Sequence, residues 1–94
     1  MAVATIDLTK YIETRLFGDR PHIRGRRIPV ATVVYNTHEH QWHVTETAHN
    51  FGLSEAEVLS ALLYYAENKT LIDAQEATYQ ADLDVDYEKH NVDD

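Results

Sequence analysis

HVTETAHNFGLSEAEVLSA, running from His43 to Ala61, sets a small residue, a glycine and a β-branched residue at Ala48, Gly52 and Val58. That spacing belongs to two short helices that cross closely over a tight turn, the helix-turn-helix arrangement. Val44 to Phe51 reads as a helix stopped by Gly52, because glycine takes the left-handed conformation that a helix exit often requires. Ser54 and Glu57 then form an S-x-x-E capping box, which opens the next helix by satisfying two orphan backbone donors. Along this helix Val58, Ala61, Leu62 and Tyr65 share one face, and Leu59, Leu63 and Ala66 widen it. Glu57, Ser60, Tyr64 and Glu67 are left for water. So wide an apolar surface calls for a second partner surface, and Leu59 and Leu63 are the candidate dimer contacts.

Upstream, Pro29 stands at a natural first helical position, with Val30, Val33, Val34 and Thr37 following at helical spacing. This helix is expected to end near His40, with Gln41-Trp42-His43 as connector. Before it, Tyr11 to Phe17 and His22 to Ile28 are extended candidates, separated by the turn chemistry of Gly18-Asp19-Arg20-Pro21. Downstream, Thr70 to about Asn91 forms a further helix, with Ile72, Tyr79, Leu83 and Tyr87 near one side and a fraying end. The expected fold is mostly α (α+β): a short N-terminal β-arm or hairpin, a three-helix unit with a helix-turn-helix, and a C-terminal helical arm. Residues 1–73 make the domain and residues 74–94 the acidic arm.

At 94 residues the chain is one small domain with a modest core, so a homodimer is the economical expectation. The absence of cysteine excludes a disulfide framework and a thiolate zinc site. The opening MAVATIDLTK lacks the charge and apolar run of a leader, and no segment approaches the ~20 apolar residues of a membrane span. A soluble cytoplasmic protein without membrane contacts is expected. The formal net charge of −8 is segregated: Lys10 to Arg27 carries a local +4, and Glu55 to Asp94 a local −9. Two different contacts follow from this asymmetry, a basic surface near the N-terminus and an acidic arm at the other end.

A helix-turn-helix places the first half of its second helix in the major groove of DNA. The positions facing base edges here are about Ser54, Glu55, Ala56, Leu59, Ser60 and Leu63, and none is the Arg, Lys, Asn or Gln suited to bidentate base contacts. Glu55 and Glu57 would also oppose phosphates at the helix entrance. The stronger electrostatic candidate is Arg24-Gly25-Arg26-Arg27. As a strand it would present Arg24 and Arg26 on one face and Arg27 on the other, able to touch a DNA backbone or groove. The histidines of His38-Glu39-His40-Gln41-Trp42-His43 do not fall at helical ligand spacing, so no metal is expected. No nucleophile elbow or phosphate loop is present, and Asp82, Asp84 and Asp86 lack the glycine turn of a calcium loop. Neither an enzyme nor a cofactor is expected.

The run His22-Ile23-Arg24-Gly25-Arg26-Arg27-Ile28-Pro29-Val30, with Trp42, Ala48, Phe51, Leu53-Ser54, Val58, Ala61-Leu62 and Tyr64-Tyr65, resembles the domain-of-unknown-function 433 family, often described as VapB-like antitoxins. The resemblance covers roughly Tyr11 to Asp73. It implies a homeodomain-like three-helix fold behind short β-segments, a homodimer, and a small PIN-like ribonuclease toxin as partner. Arg26 stands where that family usually has a small residue, His43 where a Ser N-cap is common, and Thr47 at a usually aliphatic core position. The last two are expected to weaken the second helix, a lost N-cap alone costing about 1 kcal/mol. An acidic arm fits the implied role: Tyr79, Leu83 and Tyr87 would anchor on the nuclease, with Asp82, Asp84 and Asp86 facing the basic rim of its cleft. Operator binding through Arg24, Arg26 and Arg27, either as autoregulation or as the activity of a stand-alone regulator, is the alternative.

Overall fold

The computed structural model describes residues 7–92, with side chains throughout that range except at residues 16, 17 and 84–92. A 3-10 turn at Leu8–Lys10, capped by the Asp7 carboxylate on the Thr9 amide at 3.0 Å, leads into an antiparallel hairpin of β1 (Ile12–Phe17) and β2 (Arg20–Ile23). Ile12 faces Ile23 and Glu13 faces His22, but the register shifts before Phe17 meets Arg20. Helices α1 (Val30–His40), α2 (Val44–Phe51), α3 (Glu55–Glu67) and α4 (Lys69–Val92) follow. The molecule is mostly helical with one N-terminal hairpin, as the sequence pattern requires.

The stretch after β2 departs from expectation. His22 to Ile28 is not one strand: β2 stops at Ile23, and Arg24–Arg27 is a turn. Gly25 sits at φ +76°, where side-chain-bearing residues are strained, and the Arg26 amide closes on the Ile23 carbonyl at 3.0 Å. The Ile23 amide then reaches the Ile28 carbonyl at 2.9 Å, so the chain doubles back on itself. Inside the bend His22 is fully buried, its Nδ1 donating to the carbonyls of Ile23 at 2.9 Å and Arg26 at 3.1 Å. An alternating-strand presentation of Arg24, Arg26 and Arg27 is therefore replaced by a compact loop.

Pro29 caps α1 from one position outside the helix, with extended backbone. In α2 the expected weakness is offset twice. Glu46 reaches back to the His43 amide at 3.1 Å, supplying one arm of a capping box where the serine is missing. Thr47 is fully buried, but its hydroxyl meets that of Thr37 at 2.9 Å, and Thr37 in turn donates to the Val33 carbonyl at 2.6 Å. Gly52 ends α2 at φ +66°, and Ser54 and Glu57 exchange both bonds of their capping box, 3.1 and 2.8 Å, at the start of α3.

The core lies where α1, α2 and α3 meet the hairpin: Ile12, Ile23, Val30, Val33, Val34, Ala48, Val58 and Ala61 are buried together. Because α3 touches α1, α2, α4 and β1, its covered surface wraps further than the apolar pattern suggests. Ser60, expected in water, is buried, and Glu57 and Tyr64 are half-buried. The first turns of α4 also belong to the core, with Ile72 only 1% exposed.

Candidate functional site

The arginine turn brings three cations together but leaves them unequal. Arg24 is committed: its Nε donates to the Thr9 carbonyl at 2.9 Å and its Nη1 to Glu13 Oε2 at 2.9 Å. Glu13 also holds Arg15 at 3.3 Å and lies 3.7 Å from His22 Nε2, which makes it the anchor beneath the turn. Arg26 and Arg27 are exposed, and neither makes an ion pair among the described residues. Two guanidinium groups thus stand on a fixed backbone bend, open to an anionic partner.

A second constellation, not anticipated from sequence, fastens α4 to the domain. Asp73 takes three donors: Tyr35 Oη at 2.6 Å and Tyr65 Oη at 2.8 Å, both on Oδ1, and Lys69 Nζ at 2.8 Å on Oδ2. The Lys69 hydrogen bond, followed by those from the two tyrosines, lowers the Asp73 carboxyl to about 2. Tyr35 and Tyr65 are both pushed upward, first by burial and then by their bonds to that carboxylate. One turn on, Arg20 grips Glu76 with both arms, Nε to Oε2 at 2.7 Å and Nη2 to Oε1 at 2.9 Å, and its guanidinium lies 3.9 Å from the centre of the Tyr79 ring. Gln75 donates to the Asp19 carbonyl at 3.1 Å. The Lys69–Asp73 pair is legible as an i, i+4 couple, whereas Arg20 and Glu76 carried no local signal.

Further along α4, three of the candidate contact residues are exposed. Tyr79 is 42% exposed despite its stacking on Arg20, Leu83 is 43% exposed, and Asp82 is exposed. Asp84, Asp86 and Tyr87 lie on α4 outside the residues whose side chains are described.

On α3, Leu59 is 54% exposed and Leu63 half-buried, so the widened apolar face does open to solvent. The base-reading positions offer little to DNA: Ser54 is spent as a cap, and Glu55 accepts from the Thr45 hydroxyl at 2.8 Å. His40 stacks on Trp42 with 4.6 Å between ring centres, and His38 lies edge-on to Tyr65. Among the described residues no three His, Asp or Glu side chains gather as a metal set would, and no helix is long and apolar enough to cross a membrane.

The sequence profile of a family described as a protein of unknown function, DUF433, matches residues 12–65. The chain belongs to the DUF433 family. Its matched region opens at Ile12, the first residue of β1, and closes at Tyr65 near the end of α3. The DUF433 unit therefore comprises the hairpin, the arginine turn and α1 to α3, with α4 outside the match. No curated protein and no solved structure matches the chain.

Proposed function

We propose that this DUF433 protein is a non-enzymatic binding module of the antitoxin type, which engages and blocks a small PIN-like ribonuclease through α4. The observation that carries this reading is the contrast along α4: a root fixed by Asp73 and Glu76, and beyond it a stretch that sets Leu83, and the face of Tyr79 not covered by Arg20, in the open beside acidic residues. A nuclease cleft built for a polyanion is basic at its rim, so an acidic helix with two apolar anchors meets it in charge and in apolar area. The fixed root keeps the helix from losing its orientation each time it binds, which lowers the ordering cost.

The test follows from where the root ends. A cut before Thr70 would strip Ile72 from the core and Asp73 from its three donors, so removal of residues 81–94 is the informative truncation. Tagged full-length and truncated chains are used to recover bound proteins from native lysate, and ribonuclease activity is measured before and after the complex is dissociated. A stoichiometric nuclease released from inhibition, captured by the full chain and not by the folded truncation, is the expected result. Inhibition retained without residues 81–94 would end the proposal.

A second reading is favoured by Arg26 and Arg27, the cations of the turn that make no ion pair among the described residues: contact with operator DNA, chiefly through phosphates. Its mark is binding that weakens steeply with salt and falls when these two arginines are replaced. The α3 face gives that reading no base-specific partner.

A further inference from the structure

We infer that the outer face of α3 is a docking seam for a cationic amphipathic helix of a partner protein. Ala56, Leu59, Leu63 and Ala66 recur at 3-4-3 spacing and, at 3.6 residues per turn, share about 80° of arc. Ala56, Leu59 and Ala66 are exposed and Leu63 is half-buried, so the domain's own core leaves this stripe uncovered. Two leucines flanked by two alanines make a shallow groove with room for the larger side chains of another helix.

Charge decides what lies in it. Glu55 borders the stripe beside Ala66's side of the helix and Glu67 borders it beside Ala56's side, each about 20° of arc beyond the apolar residues. The helix carries Glu55, Glu57 and Glu67 with no lysine or arginine, and while Glu57 is spent on the Ser54 amide, Glu55 and Glu67 stay exposed. Lys69, the next cation along the chain, is held by Asp73. DNA is disfavoured, since phosphates would meet carboxylates on both borders. A second copy of this chain is disfavoured as well. Antiparallel pairing sets Glu55 of one α3 near Glu67 of the other, and parallel pairing stacks like on like. A helix with an apolar stripe and lysine or arginine on its borders meets Glu55 and Glu67 with opposite charge. The inference stands apart from the nuclease reading, which concerns α4.

The probe is a pair of synthetic amphipathic helices with the same leucine-alanine stripe, one bordered by lysines and its twin by glutamates. Each is titrated into the full-length protein while backbone amide shifts are followed. The lysine peptide is expected to perturb Ala56, Leu59, Leu63 and Ala66, to lose affinity at least tenfold with Leu59→Gln, and to weaken as salt is raised. The glutamate twin should not bind. Because Leu59 is exposed, the variant should melt with the wild type, and a second variant, Glu55→Lys with Glu67→Lys, should transfer preference to the glutamate twin. Shifts confined to α4, equal binding of the two peptides, or affinity unchanged by Leu59→Gln would overturn the inference. So would sedimentation showing a dimer that Leu59→Gln dissociates, since a second copy would then cover the face.

Discussion

Arg20 and Glu76, one in the hairpin turn and the other on the second turn of α4, share two hydrogen bonds of 2.7 and 2.9 Å while both side chains stay below one-fifth exposed. Bidentate geometry with partial shielding makes this pair worth more than an ordinary surface ion pair. Arg20→Ala should cost about 1–2 kcal/mol in urea unfolding, since the stacking on Tyr79 goes with it. Hydrogen exchange around Gln75 to Tyr79 should accelerate in that variant while α2 stays protected. Unchanged exchange there would mean that Ile72 and Asp73 hold the root alone.

Asp73 should mark the acid limit of the fold. Its carboxyl titrates at about 2 in the native protein against an ordinary 3.8, so the folded state prefers the ionised form. That stability is present above about pH 4 and is lost as pH falls toward 2. Asp73→Asn should lower stability at neutral pH and remove this part of the acid transition, read as unfolding midpoint against pH.

The two tyrosines on Asp73 should give the alkaline counterpart. Both are raised above the ordinary value of 10.0, so their contribution is intact below pH 10 and disappears as pH climbs through the native values. Tyr35 and Tyr65 should ionise late in an ultraviolet titration, and Asp73→Asn should bring both earlier.

The buried threonines are asymmetric. Thr37 spends its only hydroxyl proton on the Val33 carbonyl, so Thr47 must be the donor between them. Thr37→Val strands the Thr47 hydroxyl and should cost about 1–3 kcal/mol. Thr47→Val leaves Thr37 satisfied and should cost less than about 1 kcal/mol, and the double variant should recover part of the Thr37→Val loss. Additive single and double effects in thermal melts would count against this assignment of the proton.

The arginines of the turn should separate by role. Arg24→Ala removes the bonds to Glu13 and Thr9 and should lower stability by roughly 0.5–1 kcal/mol, since Arg24 is about half exposed. Arg26→Ala and Arg27→Ala should leave the melting temperature unchanged. If the turn binds nucleic acid, each should reduce the salt dependence of binding by about one phosphate contact.

What could be read in advance follows the range of each signal. Val44 to Phe51 and the Ser54–Glu57 cap are written within four residues of themselves, and the structure places them where the sequence does. The end of β2 was hidden because Gly25 alone does not announce a reversal. The bend is set jointly by Gly25, the Arg26 amide and a buried histidine behind them. Ser60 looked solvated because a polar side chain on a helix flank says nothing of the elements that close over it, and α3 is contacted on more sides than its apolar stripe implies. The α4 root was missed for the same reason at longer range, Tyr35 lying 38 positions from Asp73 and Arg20 lying 56 from Glu76.

That last separation reverses the order in which the molecule is made. Arg20 leaves the ribosome well before Glu76, and a lone two-stranded hairpin is marginal in water. The hairpin, packed on the core through Ile12 and Ile23, therefore gains its clasp to Glu76 only after the last of the described helices is made. Any force or protease that peels back the start of α4 breaks that clasp and leaves the hairpin held to the domain through Ile12 and Ile23.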